Sequence, residues 1–297
     1  MSTVTAPPAA APATEPPAAS DTASRTAPST TTARRGTAFP ATVTGTGIVR
    51  SEWIKLRSLR STWWTLFGAV VAMMGLGALF SSFTRTGGGD QGPGGALDPA
   101  GTSLGGYNLA QLAVGVLGVL MVTGEYSTGT IRTSLAAVPK RVPVVLAKMA
   151  VLAMTLLTTM LVASFGAFFL GQWLLSRHGA STTIGAPGVL RVVIGTALYL
   201  TVIGLLGATL GWLLRRGAGA LATLFGLLLV LPILGALLPK SWSDVFVPYL
   251  PSSLGRDLLA VQPVAGSLGP WTGFALLCGY VVVLAAAGAV LLRRRDV

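Results

Sequence analysis

Residues 124–143, GEYSTGTIRTSLAAVPKRVP, form a polar, basic stretch between two long apolar runs. The stretch is too polar to cross a bilayer and too short to be a domain, so it reads as a loop joining two membrane spans. It carries one carboxylate, Glu125, then a Ser/Thr/Gly cluster, the helical pattern TIRTSLAAV, Pro139 and the basic pair Lys140 and Arg141. Gly124 allows the preceding span to end or bend. Ser127 or Thr128 can cap a short helix that begins near Thr130, and Pro139 must stop it. Lys140 and Arg141 then sit at its C-terminal end, where cations suit both the helix dipole and an anionic membrane surface. Two readings stay open here: a loop presented to a soluble partner, and an ordinary basic loop of a membrane protein.

Outward from this loop lie six apolar runs, at about 62–84, 105–123, 144–174, 191–214, 218–238 and 271–292. At ~1.5 Å per residue each can cross a hydrocarbon core of ~30 Å. The chain has 297 residues, of which 52% are hydrophobic and 10% charged. Soluble domains carry about 25% charged residues, so lipid surrounds most of this chain. The fold class is therefore an all-α integral membrane protein with six transmembrane helices. The third run is over-long, so its first turns, around Lys148, should protrude from the membrane. Arg215, Arg216 and Gly217 leave room only for a tight hairpin between the fourth and fifth, and Pro232 should kink the fifth.

Residues 48–61, IVRSEWIKLRSLRS, precede the first run. At 100° per residue Ile48, Val49, Trp53, Leu56 and Leu59 share an arc, with Arg50 and Arg57 opposite. Glu52 falls inside the apolar arc and Ile54 outside it. A basic amphipathic helix with a tryptophan, leading straight into a span, reads as an interfacial helix, with Glu52, Trp53, Lys55 and Arg57 as its marked residues. Residues 1–47, rich in Ala, Pro and Thr, lack large apolar side chains and are expected to be disordered. Between the fifth and sixth runs, 239–270 is long and amphipathic. Ser252 and Ser253 can cap a helix from Leu254 to Val261, and segments of this kind fit re-entrant or interfacial helices.

Thirteen lysines and arginines flank one side of the six runs and five flank the other. The positive-inside rule then puts both termini and the 124–143 loop in the cytoplasm. The net charge of +12 does not point to nucleic acid, because the basic residues flank spans and form no contiguous patch. Lys55, Lys140, Lys148 and Lys240 follow Ile54, Pro139, Ala147 and Pro239, so no G-x-x-x-x-G-K-[ST] loop exists. His178 is the only histidine and Cys278 the only cysteine, so neither a metal centre nor a nucleophile with a base is in prospect. Spans nearly free of ionisable groups disfavour an internal proton relay. Gly115 and Gly118 in the second run, and Gly204, Gly207 and Gly211 in the fourth, permit close helix packing, within the chain or between subunits.

SEWIKLRSLRSTWW at 51–64 and GEYSTGTIRTSLAAVPKRVPVVLAKM at 124–149, in this order around six spans, resemble the permease subunit of type-2 ABC transporters. The resemblance covers about 48–297. It implies an interfacial helix before the first span and short re-entrant helices between spans five and six, at about 244–262. It also implies a coupling helix at about 128–138 that docks on a separate ATP-binding subunit. Glu125, Thr128, Gly129, Thr130, Arg132, Pro139, Lys140 and Arg141 are then the coupling residues. This chain itself would hold no cofactor, with ATP and Mg on the partner, and would be no enzyme. The expected partners are the ATP-binding subunit, a second permease copy or paralogue, and membrane lipid. The expected location is the plasma membrane. Family members mostly export drugs, lipids, glycans or peptides. A non-transporting anchor of an immunity or signalling complex, or an ion-coupled carrier, are the alternative functions.

Overall fold

The computed structural model describes residues 45–84, 98–129, 141–262 and 268–294. Among them there is no strand, and six helices are long and apolar enough to cross a membrane. The first 44 residues, which make up nearly all of the expected tail, lie outside the described residues.

Helix α1 (Gly45–Ser58) begins three residues earlier than expected. Its buried line is Ile48, Glu52 and Leu56, one residue per turn, while Val49 and Trp53 of the same apolar arc are exposed. The helix therefore presents two apolar flanks, one toward the protein and one outward, with Glu52 on the inner one. Leu59 adopts an extended backbone and breaks the helix, and α2 (Arg60–Phe83) follows. The Trp63 indole N–H donates to the Arg57 carbonyl at 3.2 Å, which satisfies one of the carbonyls left open at the end of α1.

Residues 99–104, just before the second apolar run and close to the Gly-rich stretch GGGDQGPGG at 87–95, form the short helix α3 (Pro99–Leu104). Asp98 caps it by accepting from the Gly101 N–H at 3.0 Å, and Pro99 takes the first helical position. The second span is α4 (Tyr107–Ser127), which runs through Gly124 without ending there. The third, α5 (Arg141–Ser176), has 36 residues, ~54 Å at ~1.5 Å per residue. That exceeds the hydrocarbon core, as its apolar run implied. The fourth is α6 (Val189–Leu214).

The fifth span starts as α7 (Gly217–Phe225), passes through a π-helical turn at Gly226–Val230, and ends as α8 (Leu231–Leu237). Within it the Leu231 N–H reaches back five residues to the Gly226 carbonyl. Pro232 has no N–H and its ring crowds the preceding turn, so the ladder widens just before it. The π turn is the form that the expected irregularity takes. Helices α9 (Lys240–Phe246) and α10 (Pro251–Leu259), joined through a 3₁₀ turn at Val247–Tyr249, precede the sixth span, α11 (Pro270–Arg294). Helix α10 starts at Pro251 without a side-chain cap, so Ser252 and Ser253 lie inside its first turn and not before it. A proline at the first position supplies the fixed φ that a helix start needs, so the serines are not required as caps.

One end of the bundle, the basic end, carries α1, the last turn of α4, the first turns of α5 and the α6–α7 hairpin. At the other end, Gln172 of α5 donates to the Pro99 carbonyl (2.9 Å) and to Ser103 Oγ (2.8 Å), and accepts from the Thr182 N–H (2.7 Å). Arg191 donates to the Ala260 and Val261 carbonyls, both at 3.0 Å, and ties down the C-terminal end of α10.

The core forms around α6. In its most apolar stretch 72% of residues are buried, against 28%, 22% and 17% in the first, fifth and sixth spans. Without a hydrophobic force between helices in lipid, close packing must hold α6 in place. A Cβ on Gly118 would collide with the Gly204 carbonyl, and one on Gly207 with the Gly115 carbonyl. The small residues of spans two and four thus serve packing within the chain. The Tyr199 hydroxyl donates to Gln111 Oε1 at 2.7 Å, so the largest fully buried side chain on α6 has its polar group satisfied across the same α4–α6 seam. Gly118→Val should overpack this seam and destabilise the protein by about 1–3 kcal/mol, read as a lower Tm in detergent. Gly75→Ala, which meets open space, should leave Tm unchanged or slightly raised.

Candidate functional site

Four charged residues converge at the basic end. Glu52 comes from the buried line of α1, and Lys55 from the next turn of the same helix. Glu125 stands in the last turn of α4 and Lys148 in the third turn of α5. Lys148 Nζ donates to Glu52 Oε2 at 2.5 Å and to Glu125 Oε1 at 2.7 Å. Lys55 Nζ donates to Glu52 Oε1 at 2.6 Å and lies 3.6 Å from Glu125 Oε1. Among the described residues two carboxylates and two ammoniums form a ring that joins three helices.

Burial makes this ring consequential. The side chains of Glu52 and Lys148 are 1% and 2% exposed, Glu125 17% and Lys55 39%. A buried charge is tolerable only when paired and hydrogen-bonded. Burial alone would push the Glu52 carboxyl up, but the Lys148 ammonium, through its charge and its hydrogen bond, and then Lys55, hold it below its ordinary value. For Lys55, burial pulls down, while its hydrogen bond to Glu52 and the charge of Glu125 hold it above its ordinary value. Glu125 also sits at the C-terminal end of α4, where the helix dipole disfavours an anion. Lys148 offsets that field directly.

The end of α4 is closed locally. The Ser127 and Thr128 hydroxyls both donate back to the Gly124 carbonyl at 2.9 Å. Gly129 follows at φ +71°, the left-handed conformation that glycine supplies after a helix. Ser127 and Thr128 thus serve the C-terminus of α4; the helix near Thr130 that one of them was expected to cap lies outside the described residues. The carbonyls of a last turn need partners as much as the N–H groups of a first, and a nearby hydroxyl serves either.

Of the residues singled out from sequence, the structure brings Glu52, Lys55 and Glu125 together. Trp53 and Arg57 lie on exposed faces of α1, and Lys55, not Arg57, approaches Glu125. Arg141 is the first residue of α5. Thr130, Arg132, Pro139 and Lys140, and with them most of the expected coupling helix, lie outside the described residues. Lys148 belongs to the 124–149 stretch that carries the resemblance but was not among the candidate coupling residues, although its partner left a signal: a carboxylate inside the apolar arc of α1 demands a buried cation.

A cavity of about 530 Å³ opens beside the ring, lined by Leu56, Leu59, Leu120 and Met121 with Lys55 and Glu125 at its polar side. Among the described residues no group of histidines, cysteines and carboxylates could hold a metal ion. The ring works as an electrostatic clasp. It holds α1, α4 and α5 together.

A family model described as ABC-2 family transporter protein matches residues 48–232, a stretch that contains all four members of the ring. A search of curated proteins found no match.

Removing one member of the ring strands the others. Glu52→Ala or Lys148→Met should each destabilise the protein by about 3–5 kcal/mol, while Arg57→Ala stays near neutral; thermal unfolding in detergent measures both. The pH dependence has two edges. Glu52 is depressed from 4.5, so its contribution is whole above pH 4.5 and is lost as pH falls through the lowered value. Lys55 is raised from 10.5, so its smaller, solvent-screened contribution is whole below pH 10.5 and is lost as pH rises through the raised value. Tm should be flat between these edges with respect to the ring. A Tm of Glu52→Gln that tracks wild type at pH 7 would contradict this reading.

Proposed function

The chain belongs to the ABC-2 transporter family, and from that membership we propose that it is the membrane-spanning permease subunit of an ATP-driven transporter. ATP and Mg²⁺ are bound and ATP is hydrolysed on a separate subunit. The basic end faces the cytoplasm, where the charge asymmetry of the loops puts it, and the membrane is the plasma membrane. Two permease copies form the working unit. The weakly buried first and fifth spans supply apolar surface for that contact and, with the second, for a path between copies. The scarcity of charge along the spans suits an apolar or amphipathic substrate, and the direction is export.

The observation that carries the coupling is the buried ring. The segment 130–140 lies between α4, whose last turn carries Glu125, and α5, which begins seven residues before Lys148. Glu125 and Lys148 are bonded to each other and both to α1. Any force that the ATP-binding subunit exerts on this segment is therefore delivered to α1, α4 and α5 as one body. Coupling requires that subunit to bind the inward- and outward-facing states with different free energies. The docking residues are Thr128, Gly129, Thr130, Arg132, Pro139, Lys140 and Arg141. Glu52, Lys55, Glu125 and Lys148 keep the segment's two ends rigid.

Arg132→Glu with Arg141→Glu should abolish co-purification with the ATP-binding subunit and transport-stimulated ATP turnover, without changing the Tm of the permease alone. Undiminished complex and turnover would defeat the docking role. Uptake into vesicles driven by an ion gradient without ATP would instead establish an ion-coupled carrier.

A further inference from the structure

A second cluster at the basic end takes no part in the ring. Among the described residues Arg215 is the one non-glycine with positive φ, at 56°. It ends α6 in the left-handed conformation that disfavours any side chain with a Cβ. Its guanidinium lies over the Tyr126 ring, 5.6 Å from the centroid, and Tyr126 meets Trp212 edge to face at 6.2 Å. Arg215 Nη2, the Tyr126 hydroxyl and Trp212 Nε1 are all buried without a hydrogen-bond partner. The first two are electrostatic neighbours that do not reach hydrogen-bond geometry. Three orphaned polar groups in one place call for an explanation, since buried polar groups are ordinarily satisfied.

Tyr126 and Arg215, though not Trp212, border a cavity of about 400 Å³ lined by Leu120, Thr123, Tyr126, Arg215 and Arg216. The charged side chains in its wall are both guanidiniums, and no carboxylate lines it. The Thr123 hydroxyl is already used on the Val119 carbonyl at 3.0 Å. The cationic side chains of the wall, Arg215 and Arg216, are thus hydrogen-bond donors, and the ligand they fit is an oxyanion. The cavity also climbs the outer face of α4 to Leu120, which is 47% exposed. One part is cationic and the other apolar, which is the profile of a phosphate with a hydrocarbon chain attached.

We propose that this cavity binds the phosphate of an inner-leaflet phospholipid through Arg215, Arg216 and Tyr126, with an acyl chain along Leu120. The leaflet rests on the orientation proposed above, whereas the binding itself needs no ATP-binding subunit. The strained backbone at Arg215 fits this role: it turns a guanidinium toward the Tyr126 ring at a place where glycine would close the helix more easily.

The full chain, purified in neutral detergent, is titrated with phosphatidylglycerol and, separately, with diacylglycerol of the same chains; native mass spectrometry reads the bound lipid. Wild type should retain phosphatidylglycerol roughly tenfold better than diacylglycerol, and Arg215→Gly with Arg216→Gln should lose that preference. Arg215→Gly relieves the left-handed strain, so an unchanged or higher Tm shows that the loss is not misfolding. Tyr126→Phe should weaken retention less than the arginine pair. Equal retention by the arginine variant, or equal retention of diacylglycerol, overturns the proposal. Displacement by inorganic phosphate at matching concentration would assign the site to a free oxyanion and overturn the lipid. Unchanged lipid retention with lost co-purification of the ATP-binding subunit would assign it to an acidic side chain of that partner.

Discussion

A single ammonium, Lys148 Nζ, is shared between two carboxylates that come from two other helices. Each of the three groups is costly where it stands. Lys148 is buried in the early turns of a membrane helix, Glu52 is buried on the inner flank of an amphipathic one, and Glu125 faces the negative end of a helix dipole. None is tolerable without the others, so the three helices are held in one arrangement by mutual need. A hydrophobic contact could bring α1 against α5, as Ile48 does with Val144 and Ala147. It could not specify the register of all three, because apolar contacts tolerate sliding and hydrogen-bonded ion pairs do not.

The rest of the bundle follows a different rule. Around α6, glycine against backbone carbonyl sets the distance between helices, and side-chain size is the controlling quantity. Toward the outside, spans one, five and six leave most of their apolar surface uncovered, as suits helices whose neighbours are lipid or another subunit. Specific charge at one end and close approach in the middle leave the periphery free to differ.

Much of this was legible in the residues. Six spans follow from the length and apolarity of the runs, because lipid imposes its thickness on every one of them. The hairpin at Arg215–Gly217 and the irregularity before Pro232 follow from local chemistry. The site was half legible. Glu125 stood out as a carboxylate at a span end and Glu52 as a misfit in an apolar arc, but Glu52 and Lys148 are 96 positions apart, and periodicity carries no information about contacts at that range. The helix at 99–104 was hidden because its neighbourhood is rich in glycine. Its cap, Asp98 with Pro99, was the overlooked signal.

Helix α5 places Lys148 near one end and Gln172 near the other, 24 residues or ~36 Å apart on one continuous rod. The first holds the clasp at the basic end; the second holds α3 and the 177–188 connection at the opposite end. Both sides of the membrane thus hang from the same beam. A tilt imposed at the clasp reaches the far side as displacement of Gln172 and what it grips, with no relay of side chains between them.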